Sequence, residues 1–93
     1  MRVGLLTVRA YLPGITSLKG KRSLIRSLTS QLRDNFNISV AEIGSQDLWQ
    51  SLELGIACIS NNGSKANETL SSVLKFLQEQ RDIVLIDYHL ELI

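Results

Sequence analysis

Five cations stand between residues 19 and 33: Lys19, Lys21, Arg22, Arg26 and Arg33, with no carboxylate among them. Groups of this kind hold phosphates. A guanidinium offers a planar fork, an ammonium a point charge, and both displace counterions from a polyanion. At about 100° per residue, Lys19, Arg22, Arg26 and Arg33 fall within roughly 60° of helical arc. At about 1.5 Å per residue they form a ridge about 20 Å long. Lys21 falls on the apolar side of the same wheel and is expected either to precede regular helix or to snorkel outward. The segment S-L-K-G-K-R-S (17–23) reads as a helix start, where cations are disfavoured by about 0.3–1 kcal/mol each. A bound phosphate would reverse that, since the first turn has free N–H groups and Gly20 permits close approach. The competing reading is a solvated face whose charges share a sign.

Other residues are of types that could carry chemistry. Asp87-x-His89-x-Glu91 puts three ligand types on one strand face, about 7 Å apart. The better reading is a charged edge strand that resists pairing, with Asp87 or His89 meeting Arg9 across the ladder, so no metal and no cofactor are expected. Trp49, the sole tryptophan, either lids one end of the core or serves as a partner-binding anchor. Cys58 alternates with core residues and reads as a small buried hydrophobe. It has no cysteine partner for a disulfide, which fits a reducing compartment. No phosphate-binding P-loop, nucleophile-elbow or zinc-protease motif occurs in the sequence, and a non-enzymatic role is expected.

These residues must be positioned by elements, and the chain reads clearly. Its 93 residues are 44% apolar, with one Pro and six Gly, so one globular domain over 1–93 is expected. No apolar run is long enough to span a bilayer, and the N-terminus lacks a signal-peptide core, so the expected location is the cytoplasm. The net charge of +1 hides an asymmetry: residues 1–33 hold seven basic and no acidic residues, residues 34–93 three basic and nine acidic. Residues 3–12 alternate as a strand, Leu6, Val8, Ala10 and Leu12 against Leu5, Thr7, Arg9 and Tyr11. About 18–35 is helical, with Leu24, Ile25, Leu28, Leu32 and Phe36 as the apolar stripe. Strands follow at 37–43 and 51–60, separated by the turn-rich 44–50. A second helix, with Ser64 suggested as its cap, runs to about Gln80, and a last strand covers 82–93.

The order β-α-β-β-α-β, with right-handed crossovers, predicts a ferredoxin-like α+β sandwich. Its four-stranded antiparallel sheet should have strand order 4-1-3-2, with both helices on one face. The other face is open. Its expected members are Leu5, Thr7, Arg9 and Tyr11, then Glu53, Gly55, Ala57 and Ile59, then Leu85, Asp87, His89 and Glu91. An aromatic base-stacking platform is missing there. Gly55 and Ala57 instead make a shallow floor suited to a second copy or a small ligand.

The segments P-G-I-T-S-L-K-G-K-R-S, F-N-I-S-V-A-E-I-G-S-Q-D-L-W-Q and L-G-I-A-C-I-S-N resemble the YlxP family of small bacterial proteins along essentially the whole chain. The family pattern marks Ser17, Leu18, Lys19, Lys21 and Arg22, then Gln46, Asp47, Leu48 and Trp49. The resemblance implies a ferredoxin-like fold and, through neighbouring genes for a translation initiation factor and ribosome-binding factor A, a role around the ribosome. It brings no catalytic residues. The resulting expectation is a domain that docks on ribosomal RNA or a ribosomal subunit through Lys19, Lys21, Arg22, Arg26 and Arg33. The alternative is a homo-oligomeric binding or regulatory domain that uses the open sheet face.

Overall fold

A computed structural model describes residues 1–93. Strand β1 (Arg2–Tyr11) holds the alternation expected of it: Leu6, Val8 and Ala10 are buried while Thr7, Arg9 and Tyr11 are exposed. Helix α1 (Leu18–Asn35) begins where Ser17, in extended backbone, accepts the Gly20 N–H on its hydroxyl at 3.0 Å. That bond satisfies one of the orphan donors of the first turn. Strands β2 (Ser39–Gly44) and β3 (Ser51–Ser60), helix α2 (Gly63–Gln78) and strand β4 (Val84–Leu92) complete the chain.

All neighbouring strands are antiparallel, in the order β2-β3-β1-β4, the reverse reading of 4-1-3-2. The core lies between the sheet and the two helices. Leu6, Val8, Leu54 and Ile56 from the sheet meet Leu28 and Leu32 of α1 and Leu70, Val73 and Leu77 of α2. The Phe36 and Phe76 rings meet edge to face at 6.0 Å, tying the end of α1 to α2. This packing fixes which side of α1 looks outward.

Three local expectations are corrected. The cap of α2 is Asn62, whose side chain accepts from the N–H groups of Ser64 and Lys65; Ser64 lies inside the first turn. The helix ends at Gln78, two residues early. In β4, Arg9 pairs with Asp87 but Ala10 pairs with Leu85, so Ile86 is an extra residue. This bulge inverts the alternation, and Leu85 packs against the core instead of joining the open face. A second shift beside Ile43, between Glu42 and Gly44, does the same to β2. Glu42, level with buried Leu54, therefore lies on the helix side of the sheet, and the next residue to pair, Gly44, aligns with Glu53.

Candidate nucleic-acid interface

The outward side of α1 carries Lys19, Arg22, Arg26 and Arg33, all exposed, with exposed Ser23, Ser27 and Ser30 between them. The first turn contains no acidic residue. No carboxylate oxygen lies within 4.0 Å of any of these four cations; the molecule's ion pair is Lys21–Glu42, and His89 Nε2 lies 3.9 Å from Glu91 Oε2. Arg33 alone is tethered, donating from Nη2 to the Val40 carbonyl at 3.2 Å. The acidic C-terminal part of the chain therefore does not fold back to neutralise the ridge.

Lys21 is not part of it. Its side chain is 1% exposed, and its ammonium has three partners. It donates to the carbonyls of Ser45 at 2.5 Å and Leu48 at 2.7 Å, and faces Glu42 Oε2 at 3.1 Å. Buried to this depth, with two carbonyls bonded to it and a carboxylate facing it, the ammonium is out of reach of a phosphate. The residue sits on the apolar side of the helical wheel, and the β2–β3 loop closes over it before its chain can reach water. That loop then brings oxygens to the charge, which makes burial tolerable.

The loop so held is residues 45–50. Ser45 takes a left-handed backbone, φ 57°, and its hydroxyl donates to Glu53 Oε2 at 2.7 Å. A Cβ on Gly44 would stand 2.9 Å from the Glu53 carboxyl carbon, so a larger residue there would push that carboxylate from its present place. From the other side, Gln50 Nε2 donates to the carbonyls of Pro13 and Ile15, and the Leu12 N–H donates to Gln50 at 2.9 Å. The two motif-bearing segments, 12–22 and 44–50, thus form one end of the molecule. Trp49 is 51% exposed and Leu48 58%. Trp49 is therefore presented outward on a braced loop and does not lid the core. Sequence reasoning missed Glu42, Ser45 and Gln50 as the braces; Lys21's place on the apolar side of the wheel was the one available signal.

The open sheet face carries a trough of about 320 Å³ lined by Leu5, Thr7, Ala41, Ile43, Ala57 and His89 among others. Gly55 forms part of its floor, and Ile43 leans so closely over it that a Cβ there would lie 2.9 Å from Ile43 Cγ2. Asp87, His89 and Glu91 share this face by register with Arg9, Thr7 and Leu5, but they do not converge into a group able to hold a metal ion. No helix is long and apolar enough to cross a membrane.

Comparison with known proteins covers the same elements. The family model described as "Protein of unknown function (DUF503)" matches residues 3–90, which includes the ridge, the buried lysine and the braced loop. The chain belongs to this family. It is also similar to "Uncharacterized protein YlxP" of Bacillus subtilis (strain 168), 36% identical over 67 residues, 72% of this chain and 73% of that relative. Membership agrees with the likeness to YlxP proteins in the two motif segments, and those segments meet at one end of the fold.

Proposed function

We propose that this DUF503-family chain is a non-catalytic RNA-docking domain that seats on ribosomal RNA, free or within a subunit, through the outward side of α1. The observation that carries the reading is the set of four exposed cations, Lys19, Arg22, Arg26 and Arg33, with no acidic partner in the chain. Their phosphate contacts would position the domain without reading sequence. Trp49, exposed on its braced loop beside the helix start, supplies the one large flat surface at that end. Lys21 belongs to the scaffold under this surface.

The test is co-sedimentation with ribosomal subunits in lysate at two salt concentrations, beside an Arg22→Glu/Arg26→Glu variant. With about four phosphate contacts, affinity falls roughly a hundredfold between about 50 and 200 mM salt. Salt-sensitive association lost in the variant supports the reading. Salt-independent association, or none, defeats it. The alternative of a small-ligand site on the open face has one observation in its favour, the trough beside Gly55. It predicts binding that survives the double variant and is lost when Ala57→Trp fills the trough.

A further inference from the structure

The open face of the sheet is ordered in rows that run across its strands. Thr7 stands between Gly55 and His89, and Leu5 between Ala57 and Glu91. These two rows underlie the apolar trough, and the small residues Gly55 and Ala57 make its hollow. The next row is charged: Glu53 on β3, Arg9 on β1 and Asp87 on β4, in direct register. A second cavity, of about 240 Å³, is lined by these three residues together with Thr7, Ile43 and His89. Thr7, Ile43 and His89 also line the trough. The two cavities therefore adjoin, one apolar and the other charged.

The charges of that row do not satisfy one another. Cross-strand neighbours have Cβ atoms about 4.5–5.5 Å apart, yet no carboxylate oxygen lies within 4.0 Å of the exposed Arg9 guanidinium. Each acid is held by one oxygen instead. Glu53 Oε2 accepts the Ser45 hydroxyl at 2.7 Å, and Asp87 Oδ1 accepts the Tyr88 N–H at 2.9 Å. The second oxygen of each carboxylate is left for another donor. Both irregularities of the sheet fall at this row: the shift that sets Gly44 level with Glu53, and the one that follows the Arg9–Asp87 pair. Bulges re-aim the side chains beside them.

We propose that the open face binds a small zwitterion with an apolar body, an α-amino acid with an aliphatic side chain. Its carboxylate pairs with the Arg9 guanidinium. Its ammonium meets the flanking acids, Glu53 first, since that residue and Gly55 lie on the same strand and face. Its side chain lies in the hollow over Gly55 and Ala57, beside Ile43. Three observations select this occupant. The trough, about 320 Å³, is at the small end of the range of about 300–1,000 Å³ for ligand pockets. Its floor takes only an apolar group. The charged row alternates in sign, so a plain anion would meet two acids and a plain amine would meet Arg9. One molecule carrying both charges on a single carbon matches a cation and an anion on adjacent strands. A second copy of the chain matches less well. Stacked about a twofold axis through the trough, Gly55 and Ala57 would face their own counterparts and leave the hollow empty, and voids of that kind are unfavourable. The site lies on the face of the sheet opposite α1, so it does not depend on what the basic ridge binds.

Titration of the full chain, labelled with nitrogen-15, tests the proposal by amide chemical shifts. L-leucine is the probe, at up to about 10 mM, which nearly saturates a site with a Kd of about 1 mM. Shifts should centre on the amides of Gly55, Ala57 and Thr7. N-acetyl-L-leucine lacks the ammonium and L-leucinamide the carboxylate, and each should bind about tenfold more weakly or worse. These two arms also distinguish a free amino acid from the end of a peptide. Arg9 is exposed, so Arg9→Gln leaves the core intact and should weaken leucine about tenfold or more. Ala57→Trp should abolish binding, and Arg22→Glu/Arg26→Glu should leave it unchanged. Absence of shifts at the highest concentration overturns the proposal. So does binding that Arg9→Gln leaves at full strength, or N-acetyl-L-leucine binding as well as leucine. Shifts of the same amides with protein concentration alone would assign the face to a second copy and overturn it too.

Discussion

Lys21 Nζ reaches across 27 residues of sequence to the carbonyl of Leu48, 2.7 Å away and next to Trp49. One buried ammonium therefore couples the start of α1 to the loop that presents the tryptophan. The coupling explains why the cation-rich and tryptophan-bearing segments occur together in one chain. The first supplies a scaffold charge along with its exposed ones, and the second closes over it.

Removing that charge should be costly. Lys21→Ala leaves the Glu42 carboxylate, which makes no hydrogen bond elsewhere, and two loop carbonyls without their donor. Loss of one member of a buried pair destabilises by about 3–5 kcal/mol, read as a fall in the urea midpoint. Adding Glu42→Leu to Lys21→Met should recover part of it, because a pair replaced by apolar groups leaves less charge stranded. Equal stability for Lys21→Ala and the parent would contradict the buried geometry.

Lys19→Glu should separate stability from docking. Lys19 is the second residue of α1 and is exposed. An acid there suits the helix dipole, so the variant should gain about 0.3–1 kcal/mol in urea denaturation. Binding to ribosomal RNA should weaken in the same protein. If stability rises and binding is untouched, the ridge is only a solvated face.

Trp49 is the sole tryptophan, so fluorescence reports on it alone. Emission of the free protein should be that of a solvated indole, and Trp49→Ala should change stability by no more than about 0.5 kcal/mol, as for surface positions away from special features. If the ring stacks on an unpaired base, RNA should quench it, and the variant should lose about 1–3 kcal/mol of binding. Binding with no spectral change would place the contact elsewhere.

The correction at α2 can be checked the same way. Asn62 accepts two first-turn N–H groups, so Asn62→Ala should cost about 0.5–2 kcal/mol in thermal or urea unfolding. Ser64→Ala should be close to neutral. The reverse ranking would restore Ser64 as the cap.

The element order, the strand order and the outward cations of α1 could all be read from the sequence. They rest on local periodicities that hold as long as backbone phase is unbroken: period two through Leu6, Val8 and Ala10, period 3.6 through Leu28 and Leu32. Where the phase breaks, sequence reasoning failed. The extra residue at Ile86 turned Leu85 inward, and the shift beside Ile43 set Gly44 level with Glu53 on the open face. A bulge changes the face of every following residue but leaves no reliable mark in composition. The role of Lys21 was only hinted at by its place on the apolar side of the helical wheel, because its identity says only that it carries charge. Whether it meets phosphate or is buried depends on three oxygens from residues 42, 45 and 48 arriving around it. Only the folded sheet and its braced loop bring them there, because burial of an ion is decided by partners distant in sequence and not by its neighbours along the chain.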